Sequence, residues 1–79
     1  MKIPRGLSGA EFIKVLCKKW GYKQVHQVGS HIILETAVPS HQRMAVPNHA
    51  SLRIGTLNAI LRSVADHKMV TKENIIESL

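Results

Sequence analysis

The spacing of apolar residues changes twice along this chain, and these changes limit the folds it can adopt. Near the start, Ser8 and Glu11 form the signature of a capping box, in which each residue satisfies a free amide of the first helical turn. Apolar residues then recur at helical spacing, at Phe12, Ile13, Leu16, Cys17 and Trp20. The pattern predicts an amphipathic helix that begins near Ser8 and ends before Gly21.

The middle of the chain has the pattern of three short strands joined by turns. Its apolar residues are spaced about two apart, which favours β-structure. Gly29 and Ser30 interrupt it as a tight turn, since glycine accepts the positive φ that such turns require. The predicted elements are a strand over 22–28, a second strand over 31–38, a turn over 39–42 and a third strand over 43–46 that Pro47 ends.

Helical spacing returns from about Ile54, at Leu57, Ile60, Leu61 and Val64. Thr71 can cap a last short helix whose apolar residues are Ile75, Ile76 and Leu79. This order of elements predicts an α+β fold in which helices cover one face of a three-stranded antiparallel sheet. Residues 1–79 are expected to form one domain with a thin core, because so short a chain buries only about 60% of the surface it exposes when unfolded.

The chain is strongly basic, with 11 Lys and Arg against 5 Asp and Glu and a net charge of +6. The excess predicts a polyanionic partner, first nucleic acid and next an acidic protein, and no small-molecule cofactor is expected. Only Glu11 opposes the basic residues of the first 23 positions, which are Lys2, Arg5, Lys14, Lys18, Lys19 and Lys23. We interpret Lys14 and Lys18, which fall away from the apolar stripe, as contacts for RNA phosphates, with simple solvation as the alternative. Thr56 and the free amides at the start of the second predicted helix are further candidates for binding one phosphate.

The single cysteine excludes an internal disulfide. Cys17 lies among the apolar residues of the first helix, so it is expected to pack in the core and not to act as a nucleophile. The start of the chain has no secretory apolar segment, and no apolar run is long enough to cross a bilayer. These features predict a cytoplasmic protein that does not contact a membrane.

The tripeptide Gly29-Ser30-His31 is the candidate reactive site. Imidazole exchanges protons near neutral pH, and the amides of a glycine turn can approach an anion. His31 is therefore a candidate base in phosphate chemistry, with Gly29 and Ser30 as phosphate binders. RNA cleavage by the neighbouring 2′-hydroxyl needs a base and an acid but no metal ion. The alternative is an ordinary hairpin turn beside a solvated histidine.

The other four histidines carry less information. His49 is a secondary candidate for the acid, although a histidine after Pro and Asn, just before a helix, is more often a loop or capping residue. The remaining histidines have no spacing that indicates a function and are expected on the surface, with His26 on the first strand, His41 in a turn and His67 past the second helix. No histidine pair has metal-binding spacing on a helix with a carboxylate nearby, and Cys17 has no second cysteine, so no metal site is expected.

Five blocks of the sequence, in their order, resemble the HicA family of small bacterial and archaeal toxins, which act as mRNA interferases. The blocks are Trp20-Gly21-Tyr22, Gly29-Ser30-His31, Val46-Pro47-Asn48-His49, Gly55-Thr56-Leu57 and Ile60-Leu61-Arg62. The resemblance implies a double-stranded-RNA-binding-domain-like fold, a catalytic role for His31 and a HicB-like antitoxin as partner. The chain departs from the family at the aliphatic residues 32–34, where a histidine or an aromatic residue often follows the motif, and at residues 64–67, which replace the usual Ala-Gly step.

The leading hypothesis is a toxin that cleaves single-stranded stretches of mRNA as a metal-independent endoribonuclease. His31 would be its catalytic residue, the product would carry a 2′,3′-cyclic phosphate, and an acidic HicB-like antitoxin would cover the basic site. One alternative is a non-catalytic RNA-binding module in which His31 is incidental. Another is a small interaction subunit whose basic face docks an acidic protein.

Overall fold

The computed structural model describes Pro4 and residues 6–79, so the basic residues Lys2 and Arg5 lie outside the described residues. The elements are α1 (Gly9–Lys19), β1 (Lys23–Val28), β2 (His31–Thr36), β3 (Gln42–Pro47), α2 (Ile54–Lys68) and α3 (Lys72–Glu77). The strands form an antiparallel sheet in the order β1-β2-β3. The α+β architecture predicted from the sequence is confirmed, while the likeness to double-stranded-RNA-binding domains stays a prediction.

Helix α1 begins with the predicted capping box. The Ser8 hydroxyl accepts a hydrogen bond from the Glu11 amide at 3.1 Å, and the Glu11 carboxylate accepts one from the Ser8 amide at 3.4 Å. Gly21 follows the helix with a φ of +73°, a conformation that side chains disfavour and that turns the chain towards β1. The helix packs its apolar side inward through Phe12, Ile13 and Leu16.

The sheet has one covered face and one uncovered face. In β2, Ile32, Leu34 and Thr36 are buried. Successive strand residues point to opposite faces, so His31, Ile33 and Glu35 lie on the other side. We call the side that carries these three residues the uncovered face. β1 forms one edge of the sheet, is exposed along its whole length and has a bulge between Gln24 and His26.

The third strand is longer than predicted. Its sequence pattern ends at Val46, but β3 runs from Gln42 to Pro47, and Pro47 lies opposite His31. Proline is tolerated there because β3 is an edge strand, so an amide on its outer side has no neighbouring strand to which it could donate a hydrogen bond. The second strand is shorter than predicted, since β2 ends at Thr36.

Helix α2 extends beyond its predicted end. It continues to Lys68 and stops at Met69, which adopts the left-handed conformation with φ of 60°. His67 was expected past this helix; it lies in the last helical turn, and its Nε2 is 2.8 Å from the carbonyl oxygen of Ser40. Helix α3 has the predicted cap, in which the Thr71 hydroxyl accepts a hydrogen bond from the Asn74 amide at 3.1 Å.

One apolar cluster joins the three helices to the covered face of the sheet. Its fully buried large side chains are Phe12, Leu16, Leu34, Val46, Leu57, Leu61, Val64 and Ile75. Cys17 is half-buried against this cluster, as predicted. Burial raises the pKa of its thiol, and hydrogen bonding to the Gln24 backbone partly opposes that rise. A raised pKa disfavours the thiolate form that a nucleophile would need.

Replacing Gly9 with Ala should destabilise the protein. A Cβ atom at Gly9 would overlap the carbonyl oxygen of Pro47 and lie 2.9 Å from the Cα of Asn48, so α1 would have to move away from the loop after β3. Forced packing of this kind costs about 1–3 kcal/mol, and each 1 kcal/mol lowers Tm by about 4–8 °C in a domain of this size. Thermal unfolding followed by circular dichroism measures the change.

Gly55→Ala is the matched control for that substitution. Gly55 is also helical, but nothing lies within 4 Å of its ideal Cβ position. Alanine there should leave Tm unchanged or raise it, since it removes up to about 1 kcal/mol of helix-propensity cost. Equal losses of stability in the two variants would contradict the proposed close approach at Gly9.

The contribution of Tyr22 to the stability of the protein should fall as the pH rises from 10 to 12. Tyr22 is buried beneath the Lys68 ammonium, which lies 4.9 Å from the ring centroid, and burial raises the pKa of Tyr22 from 10.0 to about 12. Between these values the unfolded chain loses the phenolic proton while the folded chain keeps it. The contribution of Tyr22 to the free energy of unfolding therefore decreases with pH, by at most about 2.7 kcal/mol.

Urea unfolding of the wild type and of Tyr22→Phe, from about pH 9 to about pH 11.5, isolates this contribution. Burial lowers the pKa of Lys68, which has the opposite effect on the pH dependence of stability, but Lys68 is present in both proteins. The phenylalanine variant should lose less stability across this range than the wild type. Parallel curves would show that Tyr22 ionises equally easily in the folded and unfolded chains.

Candidate functional site

His31 is the first residue of β2, directly after the turn that joins β1 to β2. Val28 and His31 are paired, so the hairpin loop consists of Gly29 and Ser30 alone. Gly29 has a φ of +59° and Ser30 does not have a positive φ, which is the pattern of a type II′ turn. The turn thus fixes the position of His31 at one end of the sheet.

The imidazole of His31 lies on the uncovered face. Ile32, the next residue, is only 5% exposed and points into the core, and strand alternation then directs His31 away from it. Val28 and Pro47 flank His31 in the same rung of the sheet. His31 is exposed, so its imidazole is open to a ligand from solvent.

Both carbonyl groups of the turn accept hydrogen bonds within the protein. The Gln27 side-chain amide donates to the Gly29 carbonyl at 3.0 Å, and the Asn48 backbone amide donates to the Ser30 carbonyl at 2.6 Å. Within the described part of the chain, the amides of Gly29 and Ser30 donate no backbone hydrogen bond. The groups that this turn can offer to a ligand are therefore donors, which suits an anion.

The segment 47–49 connects the hairpin to α1. Asn48 bonds to Ser30 as described, and one residue later the His49 carbonyl accepts a hydrogen bond from the Gly9 amide at 2.8 Å. The backbones of the Gly29-Ser30 turn, the segment 47–49 and the start of α1 therefore meet at one end of the molecule. The His49 side chain is exposed, and no strand pairing fixes the face on which it lies.

A groove of about 430 Å³ runs between α1 and the covered side of β1. Lys14, Gln27 and Asn48 line it, together with Ala10, Ile13, Cys17, Gln24 and Ile32. Because Gln27 and Asn48 also hydrogen-bond to the Gly29-Ser30 turn, the groove borders that turn on the side of the sheet opposite to the imidazole of His31. Lys14 therefore shares a groove with the two residues that bond to the turn.

The structure separates the lysines into two groups. Three of the lysines that the structure describes donate hydrogen bonds within the protein. Lys19 donates to the Ser78 carbonyl at 2.8 Å, and Lys72 donates to the Asn58 side chain at 2.7 Å. Lys68 donates to the Thr36 hydroxyl at 2.8 Å and to the Val38 carbonyl at 2.6 Å. Lys14 and Lys18 are exposed, and among the described residues neither has a hydrogen-bond or ion-pair partner. Lys14 and Lys18 are therefore the α1 lysines that remain available to an external ligand.

Thr56 lies in the first turn of α2. The N-cap residue Arg53 makes no side-chain capping bond, and the first turn contains no acidic residue. The first amide with a helical partner is that of Leu57, which donates to Arg53 at 2.9 Å. Thr56 is half-buried, and no hydrogen bond joins it to the Gly29-Ser30 turn within the described part of the chain.

His26, to which the sequence pattern gave no role, shares the uncovered face with His31. It is paired with Ile33, and Ile33 and His31 lie on the same side of β2. The shared face of the two histidines could have been predicted from the sequence. A two-residue turn at positions 29 and 30 pairs position 28 with 31, and counting two residues along each strand pairs position 26 with 33. The bulge alters the pairing only beyond His26.

The described residues contain neither a metal-binding cluster nor a membrane-spanning helix. No three side chains of His, Cys, Asp or Glu in this part of the chain gather as metal ligands would. None of its helices combines the length and the apolar character needed to cross a membrane.

Comparison with known proteins identifies the family of this chain. A family model described as the HicA toxin of bacterial toxin-antitoxin systems matches residues 9–65, which is more than half of the chain. The matched range contains α1, all three strands and most of α2, and with them every candidate site residue. No curated protein and no solved structure matched the chain.

Proposed function

This chain belongs to the HicA family of bacterial toxins and is the toxin of a toxin-antitoxin system, and we propose that it acts by cleaving mRNA as a metal-independent endoribonuclease with His31 as its catalytic base. The observation that carries the proposal is the position of His31. Its imidazole is exposed on the uncovered face, directly beside a turn whose available groups are donors.

The proposed reaction uses a nucleophile that belongs to the RNA itself. His31 takes the proton of a 2′-hydroxyl, the 2′-oxygen forms a bond to the adjacent phosphorus, and the bond from phosphorus to the 5′-oxygen breaks. The products are a 2′,3′-cyclic phosphate and a 5′-hydroxyl end that has gained one proton. The amides of Gly29 and Ser30 and the Ser30 hydroxyl are suited to hold the phosphate oxygens, on which negative charge increases in the transition state.

A complete mechanism also needs an acid for the 5′-oxygen. His49 is the candidate that the sequence indicates, and its backbone lies beside the start of α1, next to Asn48, which bonds to the turn. No strand pairing orients its side chain towards His31. We therefore expect His49→Ala to reduce cleavage less than the loss of His31.

The substrate proposed is a single strand of mRNA that passes the end of the molecule where the hairpin turn lies. Lys14 and Lys18 are exposed without internal partners and would bind its phosphates, while Thr56 with the uncapped start of α2 offers a separate position for one phosphate. The net charge of +6 supports a polyanionic substrate. No part of this proposal requires a small-molecule cofactor.

The family implies an antitoxin partner. We propose a small acidic protein of the HicB kind that covers His31 and occupies the phosphate positions, since an acidic surface complements the same charges that attract RNA. The cytoplasm, where mRNA is translated, is the compartment in which such a toxin would act.

His31→Ala should abolish measurable cleavage of a single-stranded RNA while the protein stays folded and keeps most of its RNA affinity. Loss of a general base lowers the rate by about 10²–10⁴-fold, and an exposed side chain at the end of a strand contributes little to packing. A gel assay of labelled RNA gives the cleavage rate, and growth arrest after induction gives the activity in cells.

His41→Ala is the matched control. His41 is also an exposed histidine, but it lies beyond β2 and pairs with Glu35 at 3.4 Å, so this variant should cleave at the wild-type rate. Cleavage by the wild type should also survive excess EDTA. A folded His31→Ala protein that cleaves normally, or activity that chelation removes and added metal restores, would contradict the proposal.

Charge reversal at Lys14 and Lys18 should weaken RNA binding and reduce its dependence on salt. Each phosphate contact to a single strand contributes about 0.7 to the slope of log K against log salt concentration, so Lys14→Glu with Lys18→Glu should lower the slope by about 1.4. Fluorescence anisotropy with the inactive His31→Ala protein measures affinity without cleavage.

The control is Lys72→Glu compared with each single variant, because all three change the net charge by the same amount. Lys72 lies on α3 and already bonds to Asn58, so its replacement should change the salt slope little. Equal effects at all three positions would indicate a response to net charge and would remove α1 from the proposed RNA contact.

A further inference from the structure

The uncovered face of the sheet carries a second imidazole two rungs from His31, in the next rung whose side chains point to that face. His31 is paired with Val28, and the next non-bulged residue of β1 on the same side is His26, which is paired with Ile33. Since directly paired residues share a face, and since His31 and Ile33 share a face, the two histidines point to the same side. They are diagonal neighbours on adjacent strands.

Diagonal neighbours in an antiparallel sheet lie about 7–8 Å apart and are within reach of long or ring-shaped side chains. The attacking and leaving oxygens of a phosphodiester stand on opposite sides of the phosphorus. A base and an acid must therefore be separated, yet close enough to contact one phosphate between them. Two imidazoles in diagonal positions satisfy both requirements.

We propose that His26 is the second catalytic residue, the acid that protonates the 5′-oxygen as it leaves. The inference rests on the proposed endoribonuclease function and adds the identity of its acid. In the step, His31 takes the proton of the 2′-hydroxyl, the bond from the 2′-oxygen to phosphorus forms, the bond to the 5′-oxygen breaks, and His26 gives that oxygen a proton. Water then restores the two protonation states.

The surroundings leave both imidazoles available to a substrate. The residues paired directly with the two histidines, Val28 and Ile33, and the β3 residues in the same rungs, Pro47 and Ala45, are not ionisable. The charged or titratable groups that share this face are Lys23 on β1, Glu35 on β2 and Arg43 on β3, with His41 just before β3. Glu35 bonds to His41 at 3.4 Å and to Arg43 at 3.6 Å, and no ion pair to His26 or His31 occurs among the described residues.

The sheet favours His26 over His49 for this role. The position of His26 is fixed by pairing within a strand on the same face as His31. His49 follows β3, beyond the paired residues of the sheet, and its carbonyl accepts a hydrogen bond from the Gly9 amide. A defined place on a rigid element is what a proton donor needs to meet the leaving oxygen.

The test compares two substrates in the full-length protein. An RNA oligonucleotide has an alkoxide leaving group that needs an acid, whereas a ribonucleoside 3′-(4-nitrophenyl phosphate) releases nitrophenolate, which leaves without a proton. His26→Gln should lower kcat on the oligonucleotide by about 10²–10⁴-fold and leave cleavage of the nitrophenyl ester nearly unchanged. His31→Ala should lose activity on both substrates, and His41→Gln on neither.

The pH dependence of kcat/KM on the oligonucleotide gives a second readout. An acid must carry its proton, so wild-type activity should decline on the alkaline side, and His26→Gln should lack that decline. Circular dichroism and Tm establish that each variant is folded. An unchanged rate of His26→Gln on RNA, or equal losses on the two substrates, would overturn the assignment of His26.

The outcomes separate this inference from the function on which it rests. If cleavage requires His31 but not His26, only the role of His26 is rejected. If the nitrophenyl ester rescues His31→Ala instead, the two roles are reversed and the assignment of His26 as the acid fails. If the wild type cleaves neither substrate, the endoribonuclease proposal fails together with this inference.

Discussion

The close approach of Gly9 to the segment after β3 is the contact on which the arrangement of the site depends. The first turn of α1 can lie against Pro47 and Asn48 only because Gly9 has no side chain, and its amide then bonds to the His49 carbonyl. The same segment bonds back to Ser30 in the hairpin turn. One short stretch of backbone therefore holds the helix layer and the end of the sheet together, next to His31.

This arrangement distributes the candidate functional groups over two sides of a thin molecule. The helices and the groove with Lys14 lie on the covered side, and the two histidines lie on the uncovered face. The hairpin turn stands at the boundary between them. An RNA strand that crosses this boundary could be held by lysines on one side and meet the imidazoles on the other, without a deep pocket, which a chain of 79 residues has little volume to build.

Local patterns predicted the elements well because the signals are themselves local. The capping box at Ser8, the cap at Thr71 and the turn at Gly29 each act within a few residues, and all three occur as predicted. The errors came from contacts between distant residues. Pro47 continues β3 because the strand is at an edge, and His67 stays helical where Ser40 meets its ring. The requirement for glycine at position 9 could not be predicted, since the atoms that exclude a side chain belong to residues 47 and 48. The position of His31 beside the turn followed from the sequence, whereas its shared face with His26 required a count of strand pairs.

The end of the chain makes contacts of unusually long range for so small a protein. Ser78 accepts a hydrogen bond from the Trp20 indole at 2.8 Å, and its carbonyl accepts one from Lys19, across separations of 58 and 59 residues. Ser78 lies outside the range of the family match, yet Ile75 beside it is fully buried. Forming them closes a loop of nearly three quarters of the chain, and such closure must precede any energy gained from the contact. Helix α3 should therefore join the core late in folding, after the hairpin and the two longer helices have packed against each other.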